Sequence, residues 1–130
     1  MAKKVLIVED ELAVQKMYQR FFEFEHYDVR TVDTGTDAMA TIRSFMPDLV
    51  ALDIMLPGVD GIQILREIKA DPALQHIVVV MLTNLGEELF EEECLKIGAV
   101  AYMIKMNFTP SEVVETIRKY LEPDTDAVRQ

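Results

Sequence analysis

Four short apolar runs, residues 5–8, 49–52, 77–82 and 100–104, each end on a polar or charged group, and this pattern constrains the fold more than any other feature of the chain. Each run has the length of a strand and lacks polar alternation, so it suits a strand covered on both faces, as in a parallel sheet. Between the runs the apolar period becomes helical. Val14, Met17, Tyr18 and Phe21 form one stripe, Ala38 and Ile42 a second, and Ile62, Leu65 and Ile68 a third. A fifth segment, residues 27–32, alternates Asp28 and Arg30 with Val29 and Thr31 and reads as an edge strand. Five βα units joined by right-handed crossovers make an α/β protein, a doubly wound parallel sheet with helices on both faces.

Local punctuation agrees with this division. Pro47 closes the second helix, and Asp71-Pro72 closes the third. Thr109-Pro110-Ser111-Glu112 combines a capping box with proline at the first helical position, ahead of a stripe of Val113, Val114, Ile117 and Leu121. With 130 residues the chain makes one domain, expected to span residues 1–121. Residues 122–130 have little apolar content and read as a flexible C-terminal tail.

No apolar run approaches the roughly 20 residues of a membrane span, and residues 1–4 lead directly into a strand, so a soluble, cytoplasmic protein is expected. The single cysteine, Cys94, rules out an intramolecular disulfide and is expected to be a small buried hydrophobe. A net charge of −10 opposes direct nucleic-acid binding and favours protein partners. Glu87, Glu88, Glu91, Glu92 and Glu93 carry part of that charge, most simply as a solvated helix face.

In an open parallel sheet the ligand crevice lies outside the carboxyl ends of the strands. Glu9 with Asp10, Asp53, Thr83 and Lys105 stand at those ends and should converge. Clustered carboxylates repel one another unless a cation is present, and oxygen donors suit a hard ion of the Mg²⁺ type. His26 and His76 are isolated, so nothing supports zinc. A carboxylate acceptor, a divalent cation, an ammonium and a hydroxyl are together what phosphoryl transfer requires. An FMN site is disfavoured, because Glu9-Asp10-Glu11 stands where a phosphate-binding loop would be needed.

Residues 7–11 (Ile-Val-Glu-Asp-Glu), 52–61 (Leu-Asp-Ile-Met-Leu-Pro-Gly-Val-Asp-Gly), 81–84 (Met-Leu-Thr-Asn) and 102–105 (Tyr-Met-Ile-Lys) together resemble the receiver domain of two-component response regulators, over almost the whole chain. The resemblance implies a flavodoxin-like (βα)5 sandwich with strand order 2-1-3-4-5. It implies Asp53 as phosphoacceptor for a phosphohistidine on a sensor histidine kinase or phosphotransfer protein. Glu9, Asp10, Asp53 and the backbone carbonyl of Met55 would hold Mg²⁺, with Mn²⁺ as an alternative. Lys105 would pair with a phosphoryl oxygen, and Thr83 would move to hydrogen-bond the phosphoryl group. Tyr102 would follow Thr83 inward as the switch; without the resemblance it reads simply as packing. Such a protein is a phosphoacceptor that catalyses only its own phosphorylation and dephosphorylation, and it signals to a separate effector through its fourth helix, fifth strand and fifth helix. It is a monomer or a weak dimer through the same surface.

One departure from the family pattern stands next to the lysine. Receivers usually carry proline there, often after a cis peptide, whereas this chain has Met106. A cis bond before a non-proline residue costs about 2.5 to 4 kcal/mol, so a trans Lys105-Met106 bond and a rearranged loop before Thr109 are expected.

Overall fold

The computed structural model describes residues 2–122. Its elements, in chain order, are β1 (Lys4–Val8), α1 (Leu12–Phe24), β2 (Asp28–Val32), α2 (Gly35–Phe45), β3 (Leu49–Leu52), α3 (Gly61–Ala70), β4 (Val78–Thr83), α4 (Glu88–Ile97), β5 (Ala101–Ile104) and α5 (Pro110–Leu121). All strand pairings are parallel, in the order β2-β1-β3-β4-β5. The polar second strand is at one edge, as its alternation predicts.

The uniform apolar runs bury both of their faces. Leu6, Val8, Val50, Leu52, Val79 and Met81 meet Ala38 and Ile42 of α2, Ile64, Leu65 and Ile68 of α3, and Cys94 of α4. On the opposite face Val5, Ile7, Leu49, Ala51, Val80 and Leu82 meet Tyr18 and Phe22 of α1 and Val113, Val114, Ile117 and Leu121 of α5. Strand alternation thus feeds two cores, each closed by amphipathic helices. Among the described residues no helix is long and apolar enough to cross a membrane.

Three details differ from the periodicity. Phe21 is 39% exposed, and the inward face of α1 is instead built from Gln15, Tyr18 and Phe22. Phe22 takes the inner place because it packs edge-on against Tyr27, leaving Phe21 on the flank. Ile77 precedes the ladder, with its amide bonded back to Leu74 O at 2.9 Å; β4 accordingly runs one residue further, and Thr83 is in register with Ile104. Glu122 is not loose, since its carboxylate accepts a hydrogen bond from the Tyr27 hydroxyl at 2.7 Å. The rest of the expected tail, residues 123–130, lies outside the described residues.

The α5 capping box forms as read, with Thr109 and Glu112 bonding reciprocally. Among the described residues there is no cis peptide. After β5 the chain enters a short 3₁₀ turn, Lys105–Asn107, and the Lys105-Met106 bond is trans, as expected.

Candidate functional site

Parallel pairing sets the positions of the polar residues at the strand ends. Glu9 follows β1 and is anchored by its amide to Val32 O at 3.0 Å, while the Asp53 amide, just past β3, bonds to Val8 O at 3.2 Å. Neighbouring strands therefore bring Glu9, Asp10 and Asp53 together, with one carboxylate oxygen from each lying within 4.8 Å of the others. Glu9 and Asp53 are buried, and Asp10 is exposed. That donor set, hard oxygens with one side open to water, fits a hard divalent cation that keeps several waters.

Lys105 reaches this cluster from the far edge strand. Its Nζ donates to Glu9 Oε1 at 2.5 Å and to Asp53 Oδ2 at 2.9 Å. Burial alone would lower the lysine pKa, but its bonds to Glu9 and Asp53 outweigh that and hold it above its ordinary value. Burial pushes Glu9 up despite the opposing hydrogen bonds from Lys105 and the Glu11 amide.

Asp53 is only 4% exposed, and its other oxygen, Oδ1, accepts from the Met55 amide at 3.2 Å. Both carboxylate oxygens are thus fixed. The loop that follows is pressed tightly against its neighbours: a Cβ at Gly61 would come within 2.0 Å of Asp53 O, and one at Gly35 within 1.6 Å of Val59 O. These two glycines allow the close approach of the start of α3 to the Asp53 peptide and of the start of α2 to Val59.

Thr83 is fully buried, and its hydroxyl oxygen accepts from the Leu85 amide at 3.3 Å. The Tyr102 hydroxyl donates to the carbonyl of the same residue, Leu85. Both side chains are therefore attached to one peptide segment of the β4–α4 loop. Glu9, Asp10, Asp53, Thr83 and Lys105 all lie at this carboxyl edge of the sheet, and Tyr102 stands within β5, in register with Met81.

Three contributors are given no role by sequence spacing, although Glu11 and Asn84 lie within the segments that resemble the family. Gln15 is buried and donates from Nε2 to Glu9 O at 3.0 Å. Glu11 donates its amide to Glu9 Oε2 at 3.0 Å, and Asn84 accepts from the Met106 amide at 3.1 Å. Each acts on or through backbone, where residue type alone says little.

Comparison with known proteins gives concordant matches. A family model described as the response regulator receiver domain matches residues 5–118. The phosphate regulon transcriptional regulatory protein PhoB of Rhizobium meliloti is 36% identical over 110 residues, covering 85% of this chain and 48% of that protein; the chain spans about half the length of the curated relatives it matches. The BeF3-activated N-terminal receiver domain of Klebsiella pneumoniae RstA superposes with a TM-score of 0.84 at 30% identity, over 92% of this chain and 99% of that one. The Mn²⁺-bound form of response regulator Rcp1 gives 0.81 at 27% identity, over 92% and 94%.

Proposed function

This chain belongs to the response regulator receiver domain family, and from that membership we propose that Asp53 accepts a phosphoryl group from the phosphohistidine of a sensor histidine kinase or histidine phosphotransfer protein. The observation that carries the assignment is the setting of Asp53: a buried carboxylate held by Lys105 and by the Met55 amide, beside Glu9 and Asp10. A carboxylate so fixed is oriented before the donor arrives, which removes part of the entropy of reaching an in-line geometry.

In the transfer, an Asp53 oxygen forms the O–P bond while the N–P bond of the donor breaks and its electron pair returns to the imidazole. The Lys105 ammonium has three donors, of which two are used on Glu9 and Asp53; the third is available for a phosphoryl oxygen. Glu9, Asp10, Asp53 and the Met55 carbonyl would hold Mg²⁺, with Mn²⁺ as the alternative; the three carboxylates converge, and the similar response regulator Rcp1 is known in a Mn²⁺-bound form. Bound there, the cation would neutralise charge developing on the transferred group. Thr83 accepts from Leu85 but its own proton is free to be donated to the phosphoryl group, and that movement would be felt at Leu85, to which Tyr102 is also bonded. The chain would then act as a cytoplasmic phosphoacceptor rather than an enzyme with a separate substrate. It would signal to an effector protein through α4, β5 and α5, as a monomer or a weak dimer.

Incubation with Mg²⁺ and acetyl phosphate should add one phosphoryl group per chain, and Asp53→Asn should abolish it. Equal incorporation in the variant would move the acceptor elsewhere. Beryllofluoride in place of the phosphodonor should alter the fluorescence or NMR signature of Tyr102 in the wild type.

A further inference from the structure

Lys105 follows an edge strand, and among the described residues no further strand pairs beyond β5. The turn that follows is not held by burial either: Met106 is 77% exposed, and Asn107 and Phe108 are exposed too. Its hydrogen bonds include a local one, from the Phe108 amide to Lys105 O at 3.3 Å, and one that spans 22 residues, from the Met106 amide to Asn84 Oδ1 at 3.1 Å.

We propose that Asn84 is a positioning residue for Lys105, acting through the Met106 amide to hold the post-β5 turn against the end of β4. The bond depends on residue 106 having an N–H, which a proline would lack; the methionine side chain, pointing to water, takes no part. Asn84 also directly follows Thr83. Its segment is bonded at three successive points: Thr83 to the Leu85 amide, Leu85 O to Tyr102, and Asn84 to Met106. The side chain that fixes the lysine turn is thus mounted on the segment expected to move when Thr83 engages the phosphoryl group.

A single hydrogen bond at an exposed position acts weakly on folding, but a small displacement at the base of a long side chain is carried to its ammonium. The effect should therefore show in the reaction more than in stability. The inference rests on Asp53 as acceptor and on Lys105 as the partner of the phosphoryl oxygens.

The test measures the rate of phosphorylation by acetyl phosphate at saturating Mg²⁺ for the wild type and for Asn84→Ala, Asn84→Asp, Lys105→Ala and the Asn84→Ala/Lys105→Ala pair. Asn84→Ala should slow the reaction about three- to tenfold and speed hydrogen exchange at the Met106 amide. Asn84→Asp keeps the acceptor oxygen and should restore most of the rate. In the Lys105→Ala background, Asn84→Ala should add nothing, because the group it positions is gone. A wild-type rate in Asn84→Ala, or the same loss whether or not Lys105 is present, overturns the positioning role while leaving the acceptor assignment intact. Failure of the wild type to take up phosphoryl, or uptake by Asp53→Asn, would overturn both.

Discussion

Tyr27 and Glu122 show how much a single side-chain contact can organise. The phenol, at the entrance to β2, donates to a carboxylate at the end of α5, 95 residues away, and so fastens the first edge strand to the last helix. Burial, then the Glu122 carboxylate beside it, pushes the Tyr27 hydroxyl well above its ordinary value. In the unfolded chain the phenol ionises near pH 10. The contact therefore contributes fully below that pH, and its contribution is lost as pH rises towards the folded-state value. Tyr27→Phe should lower unfolding stability by about 1 kcal/mol near neutrality and make the remaining stability less sensitive to alkali between pH 9 and about 11; urea midpoints at both ends of that range measure this. At the same scale, Asp53, Glu9, Asp10 and Lys105 are legible because charged residues directly after apolar strands have few bland explanations when four of them coincide. Asn84 and Gln15 are not legible in this way, since each serves a backbone group, and a polar side chain near a loop signals no partner.

The start of α3 packs directly against the acceptor's own peptide. Asp60 caps it by accepting from the Gln63 amide at 2.9 Å, and Gly61 is its first residue. Helix propensity would favour alanine there by about 1 kcal/mol. The added Cβ, however, would press on the Asp53 carbonyl, a backbone atom with little room to yield, and such overpacking costs about 1 to 3 kcal/mol. The steric effect should win. Gly61→Ala is expected to lower the thermal midpoint and also slow phosphorylation, because Asp53 shifts with its own peptide; an unchanged rate would show that the loop relaxes around the new methyl group. Capping chemistry made α5 legible to the residue, since Thr109 and Glu112 satisfy each other locally. The start of β4 and the inner face of α1 depend on turns and ring contacts a few residues away that the apolar period does not record. Ile77 is drawn into a turn by Leu74, and Phe21 gives way to Phe22 because Tyr27 lies across the groove.

Across the whole molecule, the sheet separates two tasks. Both cores lie on its faces, and every candidate reactive group lies at its carboxyl edge, so the site can change charge without unsettling the packing beneath it. Net charge follows a similar division: the acidic face of α4 is largely solvated, with Glu93 paired to Arg66 at 2.5 Å on the surface. The inner face of the same helix carries Cys94, the only thiol in the chain and wholly buried, which burial pushes up to about 11. Its packing shields the thiol from reagents as well as raising it, so this cysteine is a built-in stopwatch for the opening of α4. Its reaction with an aromatic disulfide should be far slower in the native chain than in urea, and the ratio of the two rates reads the opening equilibrium of α4 without any label or probe being engineered. Beryllofluoride should change that rate. A rate that stays the same would mean that the response stops at Thr83 and Tyr102, with α4 a bystander.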